Sequence, residues 1–476
     1  MQSNETLFPE EEGSKSLLPS QENFDEEAEA TPPPKYSLPK DRDLPVVTRE
    51  LVGNAPLSFK VPTFFASVTC LTAIATRTRV YYPYDGMNEH ALLLQTIITG
   101  EQSSGKSFAR NNVENVIMAP MKKRDDEQRR QEQAYRELKQ TASKTEKLPD
   151  PPRTVIRICP ISISIAQLIK RADAPQRYFG TPMTLWQFTD ELSAAVESNK
   201  RAFSNIKTIA RTSYDLHSTY GVDYLSDNSY SATVDILQSS LYLSTPSALD
   251  SYADAAFIEG GGVTRTILVP LKDSLGEEAP IFKTLNAKQK SAIDNALEKM
   301  DADVYGEDGT VKPEMFIDME WLTPTVHEWC NDQNCQILRS GSRAHNTFFK
   351  RSSVSAFRIA TLCAYLYGIE TGNMQLTSKY RKRVRQIYLF CAQYILDSML
   401  GKWGKRYEEL TQKRIKGESQ VRVPIFDQLS SPFTRDQLDE LAKRLEVNTP
   451  LRVFISKWKA KGWIQEIQKY TYKKLI

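Results

Sequence analysis

In this chain of 476 residues neither an export signal nor a membrane span is expected from the sequence. Its start carries no basic residues followed by an apolar stretch, so no secretory signal is expected there. The longest apolar run, Val61 to Thr76, is closed by Arg77 and Arg79 and interrupted by Ser67, Thr69, Cys70 and Thr72. It reads as a core helix, too short and too polar for a bilayer span. A disulfide framework is also missing, because Cys70, Cys159, Cys330, Cys335, Cys363 and Cys391 are scattered, mostly within apolar runs. Reduced thiols and a cytoplasmic location are expected. The spacing of His327, Cys330, Cys335 and His345 does not match the common zinc patterns, and ordinary thiols on a helix explain it better.

Large single-sign charge is missing too. The net charge is +3, with 40% hydrophobic and 25% charged residues, a balance that fits a soluble globular chain large enough for several cores. The distribution is uneven. Residues 1–30 carry Glu5, Glu10, Glu11, Glu12, Glu22, Asp25, Glu26, Glu27 and Glu29 against Lys15 alone, so the remainder is more basic than the total suggests. A polyanionic partner is the expectation. Too few apolar residues accompany the acids and the Thr31-Pro32-Pro33-Pro34 run to offset ordering, and residues 1–48 read as a disordered acidic tail.

What is present is a phosphate-binding signature. Gly100-Glu101-Gln102-Ser103-Ser104-Gly105-Lys106-Ser107 matches G-x-x-x-x-G-K-[ST] at every fixed position. Glycines at both ends allow turns that aim backbone N–H groups at phosphates, and a following helix adds its positive dipole end. Lys106 is expected to bridge the terminal phosphates of ATP, with Ser107 holding Mg²⁺. Leu92 to Thr99 reads as a buried strand entering the loop, and Phe108 to Ile117 as the helix leaving it.

Further along, Met121 to Lys147 has a charged residue or Gln at every second position or more and almost nothing apolar, and reads as a solvated helical projection inserted into the fold. Thr154 to Cys159 and Thr184 to Thr189 are strand candidates. The second ends in Asp190-Glu191, where Asp190 is expected to serve the metal and Glu191 to activate the attacking water. An acid pair opening a helix for dipole reasons is the competing reading. Leu237 to Thr245 is a fourth strand whose terminal Ser244-Thr245 could sense a phosphate or simply make a turn. Glu259-Gly260-Gly261-Gly262-Val263-Thr264-Arg265 places one arginine between a glycine turn and an apolar strand, where its guanidinium could stabilise charge on a transferred phosphoryl group or pair with a nearby carboxylate. Lys200, Arg201, Lys207 and Arg211 are candidate grips on a nucleic-acid strand, or plain surface charges.

Together the loop GEQSSGKS, the apolar helix Phe64 to Ala75 ahead of it, the charged insertion, the TDEL acids and the Gly-Gly-Gly-Val-Thr-Arg turn resemble a family of RecA-like, primase-helicase-type ATPases of phages, plasmids and integrative elements. The resemblance implies an ATPase set of Lys106, Ser107, Asp190 and Glu191. It also implies that Arg265 acts as an arginine finger or sensor, reaching a neighbouring subunit if copies form a ring. The short acidic tail stands where a priming domain would precede such a motor.

After about residue 275 the pattern turns helical, with Arg358 inside an apolar helix as a paired arginine or a second phosphate sensor. From Ser431 onward two short helices are followed by an alternating segment, Gly462 to Tyr472, that reads as a two-stranded wing. Ten basic residues face five acidic ones in 431–476. This is expected to be a winged helix that contacts DNA through Arg452, Lys457, Lys459, Lys461 and Lys469, although such modules also dock proteins.

The expected architecture is therefore α/β: a RecA-like P-loop NTPase core over 49–275 with the insertion at 121–150, an α-helical domain over 276–420 and a C-terminal winged helix over 421–476. The expected activity is DNA-directed ATP hydrolysis by a homo-oligomeric helicase or helicase-like motor with no membrane partner. The alternative is an ATP-gated DNA-binding initiator, loader or defence-system protein that unwinds nothing.

Overall fold

The computed structural model describes residues 36–476 except 144–146, 195–205, 223–230, 274, 420–425, 427, 445–449, 461 and 476. In chain order the elements are α1 (Val46–Asn54), α2 (Lys60–Ile74), β1 (Thr78–Tyr82), β2 (Asp85–Ala91), β3 (Gln95–Thr99), the wide-wound turn of helix α3 (Ala109–Glu114), α4 (Ala119–Thr141), β4 (Ile158–Cys159), α5 (Ile165–Phe179) and β5 (Leu185–Thr189). Then come α6 (Ile206–Thr212), β6 (Thr219–Val222), β7 (Ala232–Asp235), β8 (Gln238–Ser244), α7 (Pro246–Tyr252), α8 (Ala255–Glu259), β9 (Ile267–Pro270), α9 (Ala287–Val304) and β10 (Met315–Phe316). The remainder is α10 (Thr323–Ser340), α11 (Arg343–Thr371), α12 (Ser378–Met399), α13 (Lys405–Ser419), β11 (Phe433–Thr434), α14 (Arg435–Arg444), α15 (Leu451–Ala460), β12 (Ile464–Gln468) and β13 (Thr471–Lys474).

The centre is a five-stranded, wholly parallel sheet in the order β4-β5-β8-β3-β9. All residues of β3 and β8 are buried, as strands covered on both faces should be, although β8 carries Gln238, Ser239, Ser240 and Ser244 among its apolar residues. The connection leaving β3 leads to one edge of the sheet, while that leaving β8 leads to the other. Right-handed crossovers running in opposite directions lie on opposite faces, which leaves a crevice at the carboxyl ends of β3 and β8.

Helix α2 packs across this sheet. The stretch Leu57–Ile74 is, contrary to expectation, long and apolar enough to cross a membrane, but 78% of it is buried inside the protein. The polar residues that argued against a span have internal partners. Thr69 Oγ1 bonds Thr96 Oγ1 of β3 at 2.7 Å, and Thr72 Oγ1 donates to Ser239 Oγ of β8 at 2.9 Å. Phe65, fully buried, stacks on Tyr394 of α12 at 4.9 Å, so the C-terminal helix pair α11–α12 shares one core with the sheet and does not form a separate body.

Two expectations fail on contact with this core. Residues 36–48 are not tail: Leu44 and Val47 are 1% exposed, and Asp43 receives Arg383 at 2.5 Å. Their apolar spacing with Leu51 is helical, a signal outweighed by the acids before it; residues 1–35 lie outside the described part. The insertion, in turn, is no free projection. Asp125 of α4, 2% exposed, accepts the N–H groups of Arg157 (2.9 Å) and Ile158 (2.6 Å), and Gln128 accepts that of Val155. Burial pushes the Asp125 carboxyl up, against the pull of those N–H groups and of Arg157. Only Ile158–Cys159 of the expected strand pairs with β5, and the N–H groups of Val155 and Arg157 ahead of it are turned to α4 instead.

The amino end of the sheet is tied by Arg358 of α11, which is 1% exposed. Its Nη1 donates to the carbonyls of Leu93 (3.1 Å) and Tyr214 (2.9 Å), its Nη2 to His90 Nδ1 (3.2 Å), and its guanidinium lies 4.0 Å over the Tyr214 ring. This is the paired-arginine reading, at the opposite end of β3 from Gly100–Ser107. Burial, then the facing Arg358 charge, push His90 from 6.5 down to about 4, against the opposing pull of Asp85 and Asp215. The fold therefore binds a proton at His90 less readily than the unfolded chain does. Stability from this group is complete above pH 6.5 and lost as pH falls towards 4, by up to about 3 kcal/mol. Urea midpoints across that window should fall less steeply for His90→Gln than for the natural chain; equal slopes would refute the assignment.

Candidate active site

Three parallel strands deliver the site. β3 runs into Gly100, whose N–H donates to Ser244 O at the end of β8 (3.1 Å), and Thr189 of β5 is level with Tyr242 of β8. The loop strand and the acid strand are thus two strand spacings apart, roughly 10 Å. The cleft between them, about 670 Å³, is lined by Gln102, Ser103 and Lys106 from the loop, Asp190, Glu191 and Ser193 after β5, and Ser244, Thr245 and Ser247 after β8.

The loop is built to approach a ligand with its backbone. Ser103 and Gly105 have φ of 62° and 79°. A Cβ on Gly100 would sit 2.7 Å from Ser104 Oγ, and one on Gly105 would sit 2.8 Å from Pro280 Cγ. Among the described residues, nothing accepts from the N–H groups of Ser103, Gly105, Lys106 and Ser107. Lys106 Nζ donates to Gly100 O (2.7 Å), to Glu101 O and to Ser104 Oγ (3.3 Å). Partial burial lowers its pKa, with Glu101 opposing. Ser107 is exposed beside it at the foot of the helix, just outside the lining residues. The helix that follows is wound one residue wider than an α-helix over Ala109–Glu114, a form that recurs at functional sites.

The acids are presented by a polar turn. Thr189 Oγ1 accepts from Glu191 N (3.3 Å) and donates to Glu191 O (3.1 Å), while Ser193 Oγ donates to Glu191 Oε2 (3.4 Å). Asp190 is paired with Arg110 at 2.5 Å, and the Arg110 guanidinium lies 5.0 Å over Phe188. Arg110 was not singled out in the sequence, though its place one turn after Lys106 was the available signal. Gln187, which interrupts the apolar run, is 2% exposed; its amide donates to Pro160 O (3.2 Å) and accepts from Gln238 (3.1 Å) and Tyr242.

The donor set fits a magnesium nucleotide. Free backbone donors and an ammonium suit phosphate oxygens, and Mg²⁺ keeps most of its waters, needing one or two protein oxygens such as Ser107 Oγ and Asp190. Among the described residues no group of three or more His, Cys, Asp or Glu converges. The residues weighed for zinc have other neighbours: Cys330 Sγ meets Ser353 Oγ (3.6 Å), His345 Nε2 meets Gln333 Oε1 (2.9 Å), His327 packs on Tyr84 and Cys335 is exposed.

Arg265 is not brought to this cleft. It precedes β9, whose Ile267 is level with Thr96, so it stands at the amino end of the sheet, roughly 20 Å from the loop. A sensor role within the same chain does not fit that position. Its guanidinium reaches Gly261 O (3.2 Å) and Asp215 (3.4 Å), which also receives Arg351 (3.5 Å). Of the candidate strand grips, Lys207 pairs with Asp254 (2.5 Å), Arg211 lies against Gly260, and Lys200 and Arg201 are outside the described residues.

The C-terminal residues build a second surface. β11, β13 and β12 form an antiparallel sheet in that order, and with α14 and α15 they enclose a small aromatic core of Phe426, Phe433, Phe454, Trp458 and Tyr472. Burying Phe454 and Trp458 leaves Arg452, Lys457 and Lys459 of α15 exposed. Lys459 is tied to Glu466 of β12, which raises its pKa, whereas Lys469 stands at the hairpin tip beside Tyr470 (φ 66°). Lys461 lies outside the described residues.

No family model matches the chain, and no curated protein matches it.

The loop geometry carries its own test. Gly105→Ala adds a left-handed cost of about 1–2 kcal/mol and a clash with Pro280. Gly309→Ala, with φ 78° and open space, adds only the first. Urea unfolding should show the larger loss at Gly105; equal losses would mean that Pro280 does not crowd the loop.

Proposed function

We propose that this chain is a DNA-directed ATPase with a RecA-like P-loop core and a winged helix, acting as a helicase-like motor in the replication of a mobile element or phage. One observation carries the reading: Lys106, Asp190, Glu191 and Ser244, far apart in sequence, line one cleft at the carboxyl ends of three adjacent parallel strands. Ligands of open parallel sheets bind there.

The roles follow from chemistry. The free N–H groups after Gly100 would cradle phosphate oxygens, and Lys106 Nζ would leave the loop carbonyls for the terminal phosphate, a stronger charge-assisted partner. Mg²⁺, when bound, would neutralise charge on the phosphate oxygens, with Ser107 and Asp190 as its protein ligands. Glu191 would accept the proton of the attacking water at its free carboxylate oxygen, and Ser244 or Thr245 would report the terminal phosphate to the turn into α7. A nucleotide-dependent change at these strand ends is the basis for coupling to DNA. Arg265 would serve only a neighbouring copy, so a homo-oligomer belongs to the same proposal.

Lys106→Ala is expected to lose ATP binding. Glu191→Gln should keep it while hydrolysis falls about 10²–10⁴-fold. Rates measured with no DNA, single strands, duplex and forks, over a range of protein concentrations, read DNA coupling and assembly together. Full turnover by Glu191→Gln would remove the assignment, and absence of strand displacement on forks alongside intact hydrolysis would favour the ATP-gated switch.

The DNA-binding half rests on the exposed cations of α15 and the hairpin tip. Three phosphate contacts on duplex DNA correspond to a log–log salt slope of roughly −3. Arg452→Glu, Lys457→Glu and Lys469→Glu together should weaken duplex binding and flatten that slope. Unchanged affinity and slope would mean that the module docks a protein.

A further inference from the structure

A second concave surface lies well away from the nucleotide cleft, between α4 and α5, with a volume of about 430 Å³. Its lining includes Arg136, Lys139, Lys170 and Arg177 with the rings of Tyr135 and Tyr178. The acids at its floor are already committed. Glu132 accepts both terminal nitrogens of Arg171 (2.5 and 2.9 Å) and the hydroxyl of Thr154 (2.7 Å). Burial alone would raise its pKa, but these bonds and the charges of Arg171 and Arg136 hold it at about 2. Asp173 is paired with Arg177 at 2.8 Å. Arg136 is left with a long 3.4 Å contact to the occupied Glu132 and is 63% exposed. Lys139 and Lys170 are exposed and make no ion pair or hydrogen bond among the described residues.

Excess cations flanking two accessible rings suit a ligand with alternating phosphates and flat bases. Resting on the DNA-directed reading above, we infer that this cleft holds single-stranded nucleic acid, with Arg136, Lys139 and Lys170 on the phosphates and Tyr135 and Tyr178 under the bases. α4 is rigidly joined to the sheet through Asp125 at the entry to β4, which leads by α5 to the acid strand. A strand held here is therefore attached to the element that carries Asp190 and Glu191.

The test uses the full chain without nucleotide, a labelled oligothymidylate of about 20 nucleotides, and anisotropy over a salt series. Lys139→Glu with Lys170→Glu should weaken binding tenfold or more and flatten the log–log salt slope by roughly one to two. Tyr135→Leu with Tyr178→Leu should remove the preference for a base-bearing strand over an abasic one. Single-strand binding unchanged in both variants overturns the cleft. Duplex binding through α15 is measured alongside: if it persists in that case, the DNA-directed reading stands and only this cleft falls. If the natural chain binds neither form, both fall.

Discussion

Everything near the site depends on the register in which β3 lies against β8. Thr99 stands opposite Ser244, and the Gly100 N–H closes on the Ser244 carbonyl, so loop and polar strand end leave the sheet at one level. A slip of one residue would turn every side chain of β3 to the other face. The register is held from the side by Thr69 and Thr72 of α2, whose hydroxyls reach β3 and β8, and from below by Arg358 at the Leu93 carbonyl. Buried polar contacts of this kind add little net stability, but each becomes costly when its partner moves away. They act as pins that make the alternative registers expensive.

The glycine loop between β3 and the helix after it, the strands around it, and the helices and hairpin at the C-terminus were legible as elements because their signals are local: a fixed spacing, an apolar run, an alternating pattern. What was not legible depended on partners distant in sequence. Gln187 looked like a flaw in a strand, yet it bridges Pro160, Gln238 and Tyr242 inside the sheet. The polarity of α2 was counted against a membrane span although the helix is apolar enough for one, because its hydroxyls are satisfied by strands that follow and not by solvent. The charged helix α4 read as a solvated projection, and most of its residues are exposed, but composition cannot tell which single acid, Asp125, will hold the N–H groups of a segment 32 residues later. Arg265 was assigned from its glycine turn, but only the parallel pairing of β9 with β3 shows at which end of the sheet that turn lies.

The C-terminal module answers a different constraint. It encloses few residues, and aromatic side chains supply about half of its buried core, each contributing far more contact area than an aliphatic one. Phe454 and Trp458 point inward one turn apart, with Ile455 beside them, so positions 452, 457 and 459 of α15 face out, and these hold the cations. Packing and surface charge are therefore two aspects of one helical period.

The Arg110–Asp190 pair has an implication for charge balance. Arg110 meets Oδ2 of Asp190, so this half-exposed carboxylate already carries a counter-cation on one oxygen, and any further cation drawn to it would have to share the carboxylate or displace the guanidinium. Phe188 lies under the same guanidinium at 5.0 Å, so Arg110 has a second hold beside the cleft that does not depend on Asp190.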